Sequence, residues 1–115
     1  MFIEENTIAE KRRFKRSKFN DAIHYQLKEE SHFGGCLASD ISEGGMRVNF
    51  NDFVPVHAEM VLQVRVPTIE KIVDVTARVA WLQKLPYSDR YHVGLEFAKI
   101  DPIAKEGIRR YIKSH

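Results

Sequence analysis

Five stretches of this chain alternate apolar and polar residues with a period of two. Ile23, Tyr25 and Leu27 share one face, with His24 and Gln26 on the other. Met46, Val48 and Phe50 alternate with Arg47 and Asn49, and Met60, Leu62, Val64 and Val66 with Gln63 and Arg65. Val73, Val75, Ala77, Val79 and Trp81 alternate with Asp74, Thr76 and Arg78. Tyr91, Val93, Leu95 and Phe97 alternate with His92 and Glu96. Neighbouring side chains on a strand point to opposite faces, so this pattern buries one face of an antiparallel sheet and wets the other. A weaker sixth strand is expected from Cys36 to Ile41.

The breaks between these stretches are short. Gly34-Gly35, Gly44-Gly45, Asn51-Asp52 and Ser88-Asp89 read as turns, and Pro55, Pro67 and Pro86 sit at or beyond strand ends. Six strands at this spacing, with no strand–helix–strand alternation, predict a closed or nearly closed antiparallel barrel, mainly all-β. Closure also removes exposed strand edges. The tail changes period: Ala104, Ile108, Tyr111 and Ile112 fall on one helical face after Asp101 as cap and Pro102 as first residue. A short C-terminal helix packed on the barrel is expected. With 115 residues and 43% hydrophobic content, the chain makes one domain that buries a core without disulfides or metals.

The net charge of +2 conceals an asymmetry. Residues 10–18 carry six cationic side chains against Glu10 alone, net +5, which leaves the rest of the chain at −3. Residues 1–18 lack strand or helix periodicity for the most part. They are expected to form a flexible basic N-terminal arm, with the barrel and helix over 19–115. A single cysteine, Cys36, rules out an intramolecular disulfide, so a reducing compartment such as the cytoplasm is expected and the thiol reads as a small core residue. Residues 1–10 hold three glutamates and no basic residue, unlike a secretory signal. No apolar run approaches the roughly 18 residues needed to span a bilayer, so membrane insertion is not expected.

Two short stretches carry candidate chemistry. Arg12-Arg13-Phe14-Lys15-Arg16 contains an Arg-x-x-x-Arg spacing, and Asp40-Ile41-Ser42-Glu43-Gly44-Gly45 reads Asp-x-Ser-x-x-Gly. Guanidinium forks bond phosphate oxygens and the O6/N7 edge of guanine, and they stack on purines. Asp40 and Ser42 are suited to the N1–H and N2–H edge of guanine, and Gly45 permits positive φ or close approach of a ligand to the backbone. Taken singly, the first stretch also fits a solvated basic tail, and the second fits a hairpin turn whose Asp and Ser bond local backbone.

Taken in this order and strand context, the pair resembles the PilZ domain family. The similarity extends through Val79-Ala80-Trp81 and Val93-Gly94-Leu95-Glu96-Phe97 and covers about residues 11–112. The resemblance implies a bacterial second-messenger receptor, a six-stranded barrel with a C-terminal helix that binds cyclic di-GMP. Carried over residue by residue, its ligand contacts fall on Arg12, Arg16, Asp40, Ser42 and Gly45. Arg13 is a further phosphate contact, and Lys11 and Gly44 are additional candidates. Some members carry an arginine where this chain has Lys11, which keeps the charge without the planar fork and leaves one or two bound ligand molecules open. The expected mechanism orders the arginine arm on the barrel when the ligand arrives. With no fused catalytic domain in sight, the new surface then signals to a separate, unidentified effector protein.

The remaining patterns carry less. His24, His32, His57, His92 and His115 show no metal-ligand spacing with Cys36 or one another. No catalytic triad order, phosphate loop or nucleophile elbow occurs, so no enzyme activity, metal or cofactor is expected. Trp81 and Tyr91 read as core, and Tyr87 as an exposed loop residue. Single-stranded nucleic-acid binding fits poorly because the chain outside the arm is net acidic. A ligand-independent interaction module is the other alternative, and the intact motif residues weigh against it.

Overall fold

The computed structural model describes residues 15–28 and 33–114. Six strands, β1 (Ser17–Leu27), β2 (Phe33–Ile41), β3 (Gly45–Phe50), β4 (Glu59–Val66), β5 (Lys71–Lys84) and β6 (Tyr91–Lys99), precede one helix, α1 (Pro102–Ser114). All neighbours are antiparallel and the sheet closes in the order β1-β2-β3-β6-β5-β4. Of the expected arm, residues 1–14 lie outside the described residues, and Ser17 and Lys18 already belong to β1.

The inward sides of the alternating stretches make the core. Ile23, Met46, Val48, Phe50, Met60, Leu62, Val64, Val75, Ala77 and Val79 are buried almost completely. The Cys36 thiol is buried among them, and that burial pushes its pKa up to about 12, as befits an inert core side chain. Helix α1 buries Ala104, Ile108 and Ile112 against the barrel, as the spacing predicts, together with Gly107, while Tyr111, expected on the same face, is half-buried. Asp101 caps it: Oδ2 accepts from the backbone N–H of Ile103 at 3.0 Å and of Ala104 at 3.4 Å.

Two expectations fail for definable reasons. Gly34-Gly35 is not a turn but lies inside β2, opposite Tyr25 and His24. The Tyr25 ring occupies the space a Gly34 side chain would need, 2.7 Å from its notional Cβ. Trp81 is not core. The β5–β6 register advances from Val79↔Leu95 to Trp81↔Gly94, so β5 carries one extra residue there. A bulge of one residue flips the facing of everything beyond it. Leu82 then takes the inward position opposite Val93, while Trp81 turns outward at 38% exposure. Tyr91 is half-buried, edge-on to Phe53 at 5.8 Å, and Tyr87 is wholly exposed with φ 56°.

Candidate functional site

The hairpin joining β2 to β3 is the centre of the site. Ser42 N–H donates to the Gly45 carbonyl at 2.8 Å, and the Ser42 hydroxyl donates to the same carbonyl at 3.3 Å while accepting from Gly44 N–H at 3.2 Å. Ser42 is 1% exposed, so its hydroxyl is part of the turn itself. The Gly44 carbonyl accepts from Phe97 N–H at 2.8 Å, which pins the turn to β6. Gly45 does not have positive φ; a side chain there would strike the Leu95 carbonyl oxygen of β6. The close approach that demands glycine is therefore made by the chain's own backbone.

Asp40, at the end of β2, accepts two guanidinium groups. Arg16 Nε donates to Oδ1 at 2.8 Å; Arg47 donates to Oδ2 from Nε at 2.7 Å and Nη2 at 2.7 Å. Arg16 Nη1 also reaches the Ser42 hydroxyl at 3.5 Å. Burial alone would raise the Asp40 pKa, but the hydrogen bonds and charges of Arg47 and Arg16 outweigh it and hold the carboxyl below the usual carboxylate range. Asp40 is thus ionised at neutral pH and fixes two forks on the barrel surface.

Arg16, Asp40, Ser42, Gly44 and Gly45 are brought together as the motifs predict, whereas Lys11, Arg12 and Arg13 lie outside the described residues. Four contributors were not foreseen. Arg47 was assigned only to the wet face of its strand. Counting outward from the Ser42–Gly45 turn pairs Ile41 with Met46 and Asp40 with Arg47, which is the observed register and the signal that marks it. Trp81, Gly94 and Glu96 join through β5 and β6. The Trp81 indole lies over Gly94, filling the place of a side chain, and stands 5.3 Å from the His92 ring. No local pattern announces the bulge that exposes it.

An open cavity of about 410 Å³ is lined by Arg16, Ser42, Gly44, Gly45, Arg47, Trp81, Gly94 and Glu96, among others. It offers two arginine forks, held from behind by Asp40, a half-exposed indole and the Glu96 carboxylate, a set suited to phosphates and flat bases. Among the described residues, a cavity of about 550 Å³ elsewhere is lined by His24, Tyr25, Gln26, Gly34, Val61, Gln63 and Asp74, with no lysine or arginine to hold an anion. Another, of about 630 Å³, has Lys99 and Lys105 but no arginine among the described residues at its wall. Behind the turn, Glu43 accepts from Arg109 Nη2 of α1 at 3.0 Å; that hydrogen bond lowers the Glu43 pKa and ties the helix to the motif. Among the described residues, no group of three His, Cys, Asp or Glu gathers to hold a metal, and no helix is long and apolar enough to cross a membrane.

The fold has known counterparts. The Bacillus subtilis inhibitor of motility MotI/DgrA superposes with a TM-score of 0.75 at 21% identity, over 89% of this chain and 49% of that protein. This chain therefore spans about half the length of that relative. The PilZ domain of YcgR from Escherichia coli, solved with c-di-GMP, gives a TM-score of 0.67 at 14% identity over 89% and 88% of the two chains. The Borreliella burgdorferi PlzA protein in complex with c-di-GMP gives 0.63 at 14% identity over 96% and 45%. At such identities the likeness concerns the fold. No curated protein matches in sequence. The sequence matches the family model for the PilZ domain over residues 10–114, which takes in both motifs, all six strands and the helix. By that match and by its barrel, the chain belongs to the PilZ domain family.

Proposed function

We propose that this chain is a receptor for cyclic di-GMP, acting in the bacterial cytoplasm and without enzyme activity of its own. The observation that carries the reading is that Arg16 and Arg47, both held by Asp40, line one cavity together with Gly45, Gly94 and Trp81. The c-di-GMP complexes of YcgR and PlzA, which share the fold, support it.

The roles follow from the geometry. The ligand carries two phosphate charges and two guanines. Asp40 spends one lone pair of Oδ1 on Arg16 and engages Arg47 through Oδ2; a carboxylate has roughly four such sites, so it retains capacity for a guanine N–H edge. Arg16 bonds Asp40 through Nε and reaches Ser42 through Nη1, which leaves Nη2 and the second N–H of Nη1 for phosphate or purine. Trp81 offers a face for stacking a base, and Ser42 and Gly45 build the turn that holds these groups in register. Arg12 and Arg13 close over the ligand from the arm, with Lys11 and Gly44 as secondary contacts. Fixing arm residues costs about 1–2 kcal/mol each. Charge-assisted bonds of roughly 1.5–3 kcal/mol each offset that cost. The ordered arm is the surface read by a separate effector protein.

Calorimetric titration with cyclic di-GMP tests the reading, with cyclic di-AMP and GTP as controls. The chain binds cyclic di-GMP selectively, and Arg16→Ala weakens it at least tenfold, the loss of one or two charge-assisted bonds. No binding by the parent chain would leave a ligand-independent interaction module as the better account. Binding to single-stranded DNA that fades steeply with salt would point to nucleic acid instead.

A further inference from the structure

Glu96 lines the cavity, whereas Asp40 stands behind the two arginines that line it, and the surroundings of the two carboxylates differ in a way that assigns Glu96 a task. The outward residues of the sheet here form two neighbouring cross-strand rows. One runs Asp40 (β2), Arg47 (β3), Gly94 (β6), Trp81 (β5); the next runs Gly45 (β3), Glu96 (β6), Arg78 (β5). Rows two residues apart are separated by about 6.6 Å along the strands, and adjacent strands by about 4.8 Å. Glu96 thus stands beside two positions that carry no side chain, Gly94 on its own strand and Gly45 opposite, next to the Trp81 indole that overlies Gly94. Among the described residues the carboxylate has one loose partner, Arg78 Nη1 at 3.7 Å from Oε1, and the side chain is 62% exposed. Asp40, by contrast, has a guanidinium on each oxygen at 2.7–2.8 Å.

We infer that Glu96 is a specificity-determining residue that reads the Watson–Crick edge of a guanine stacked on Trp81. This rests on the cyclic di-GMP reading and extends it to the second of the two bases. A carboxylate accepts side by side from guanine N1–H and N2–H, the matching donor pair. Adenine presents an acceptor at N1, so the same carboxylate rejects it with an unpaired, like-polarity contact. Hypoxanthine keeps N1–H and lacks the exocyclic amine, which isolates the second bond. Gly45 presents no side chain beside Glu96, and a purine on the face of the indole turned away from Gly94 keeps its polar edge at the surface, near the carboxylate.

The test uses the full chain and three ligands in calorimetry: cyclic di-GMP, cyclic di-IMP and cyclic di-AMP. The parent chain binds cyclic di-GMP at least tenfold more tightly than cyclic di-IMP. Glu96→Gln, whose amide nitrogen opposes N2–H, weakens cyclic di-GMP about tenfold while leaving cyclic di-IMP within about twofold, so the ratio between them collapses. Glu96 is exposed, and circular dichroism confirms that the variant folds. Parent-level discrimination in Glu96→Gln overturns the assignment, as does a uniform loss for all three ligands. A parent chain that binds none of the three overturns the receptor reading itself; one that binds cyclic di-GMP and cyclic di-IMP equally overturns only the role of Glu96.

Discussion

Asp40 shows how much can rest on one ionised side chain. It accepts from Arg16 and Arg47, and each of those guanidiniums would otherwise crowd the other on one surface. Because its folded pKa is lowered, its contribution to stability is fully present above the ordinary carboxylate range, near 4, and is lost as pH falls through the lowered value. Asp40→Asn should therefore cost about 1 kcal/mol at pH 7, a figure discounted for the solvent that reaches both arginines. Urea titrations at stepwise lower pH should show the gap between the two chains closing on the acid side. A gap of constant size down to pH 3 would mean that the ionised pair contributes nothing. Arg47 belongs to the same account. The sequence places it on the wet face of a strand, but only the register across the turn places it against Asp40, and a carboxylate with two cationic neighbours is a different group from one with a single arginine.

Among the elements, helix α1 carries an apparent error that packing explains. Gly107 interrupts a helix that would gain about 1 kcal/mol from alanine. Its notional Cβ would sit 2.9 Å from Val66 Cγ1 and 3.0 Å from Ile69 Cγ2, on the stiff β4–β5 hairpin. Thr68 reinforces the approach by donating its hydroxyl to the Gly107 carbonyl. Overpacking at such a contact costs about 1–3 kcal/mol. Gly107→Ala should thus lower stability by about 1 kcal/mol in chemical denaturation; an increase would show that the hairpin yields freely. The strands were legible in the sequence because burial of one face imposes a period of two, and the helix because Asp101 and the spacing of Ala104, Ile108 and Ile112 impose another. The closed antiparallel barrel was legible too; what escaped were the features set by the register between its strands. The extra residue on β5 leaves the alternation through Val79 and Trp81 looking intact, yet it moves the indole from core to cavity. Gly34-Gly35 looks like a turn until the Tyr25 ring is seen to need that space. Glu96 and Gly94 acquire meaning only once β6 lies between β3 and β5.

At the scale of the molecule, the barrel closes unevenly. β1 pairs with β2 from Ser17 to Gln26, but with β4 only over His24–Leu27. Among the described residues, the first half of β1 has no strand on its other edge, and α1 stands there instead. The Ser17 hydroxyl donates to the Ile112 carbonyl at 3.4 Å, Tyr111 OH donates to the Lys18 carbonyl at 2.7 Å, and the Tyr111 ring meets Phe19 edge-on at 5.5 Å. A helix thereby covers an edge that would otherwise invite pairing with another chain. Ile112 is the buried anchor of this seam. Ile112→Ala should cost about 2–4 kcal/mol, and hydrogen exchange should quicken at the amides of 17–19 before those of β3 and β5. Uniform acceleration across the barrel would show that the seam has no separate stability.

Arg16 is the residue immediately before that seam. Its backbone is therefore steadied by Tyr111 and Ile112, more than ninety positions downstream, neither of which lines the pocket. On the receptor reading proposed above, a genetic screen that scores output alone would gather loss-of-function alleles at Tyr111 and Ile112 and class them with the residues proposed to bind. Sorting the two groups requires a thermal melt alongside each phenotype, because lesions in the brace forfeit heat tolerance, whereas lesions at an exposed pocket residue such as Glu96 keep it.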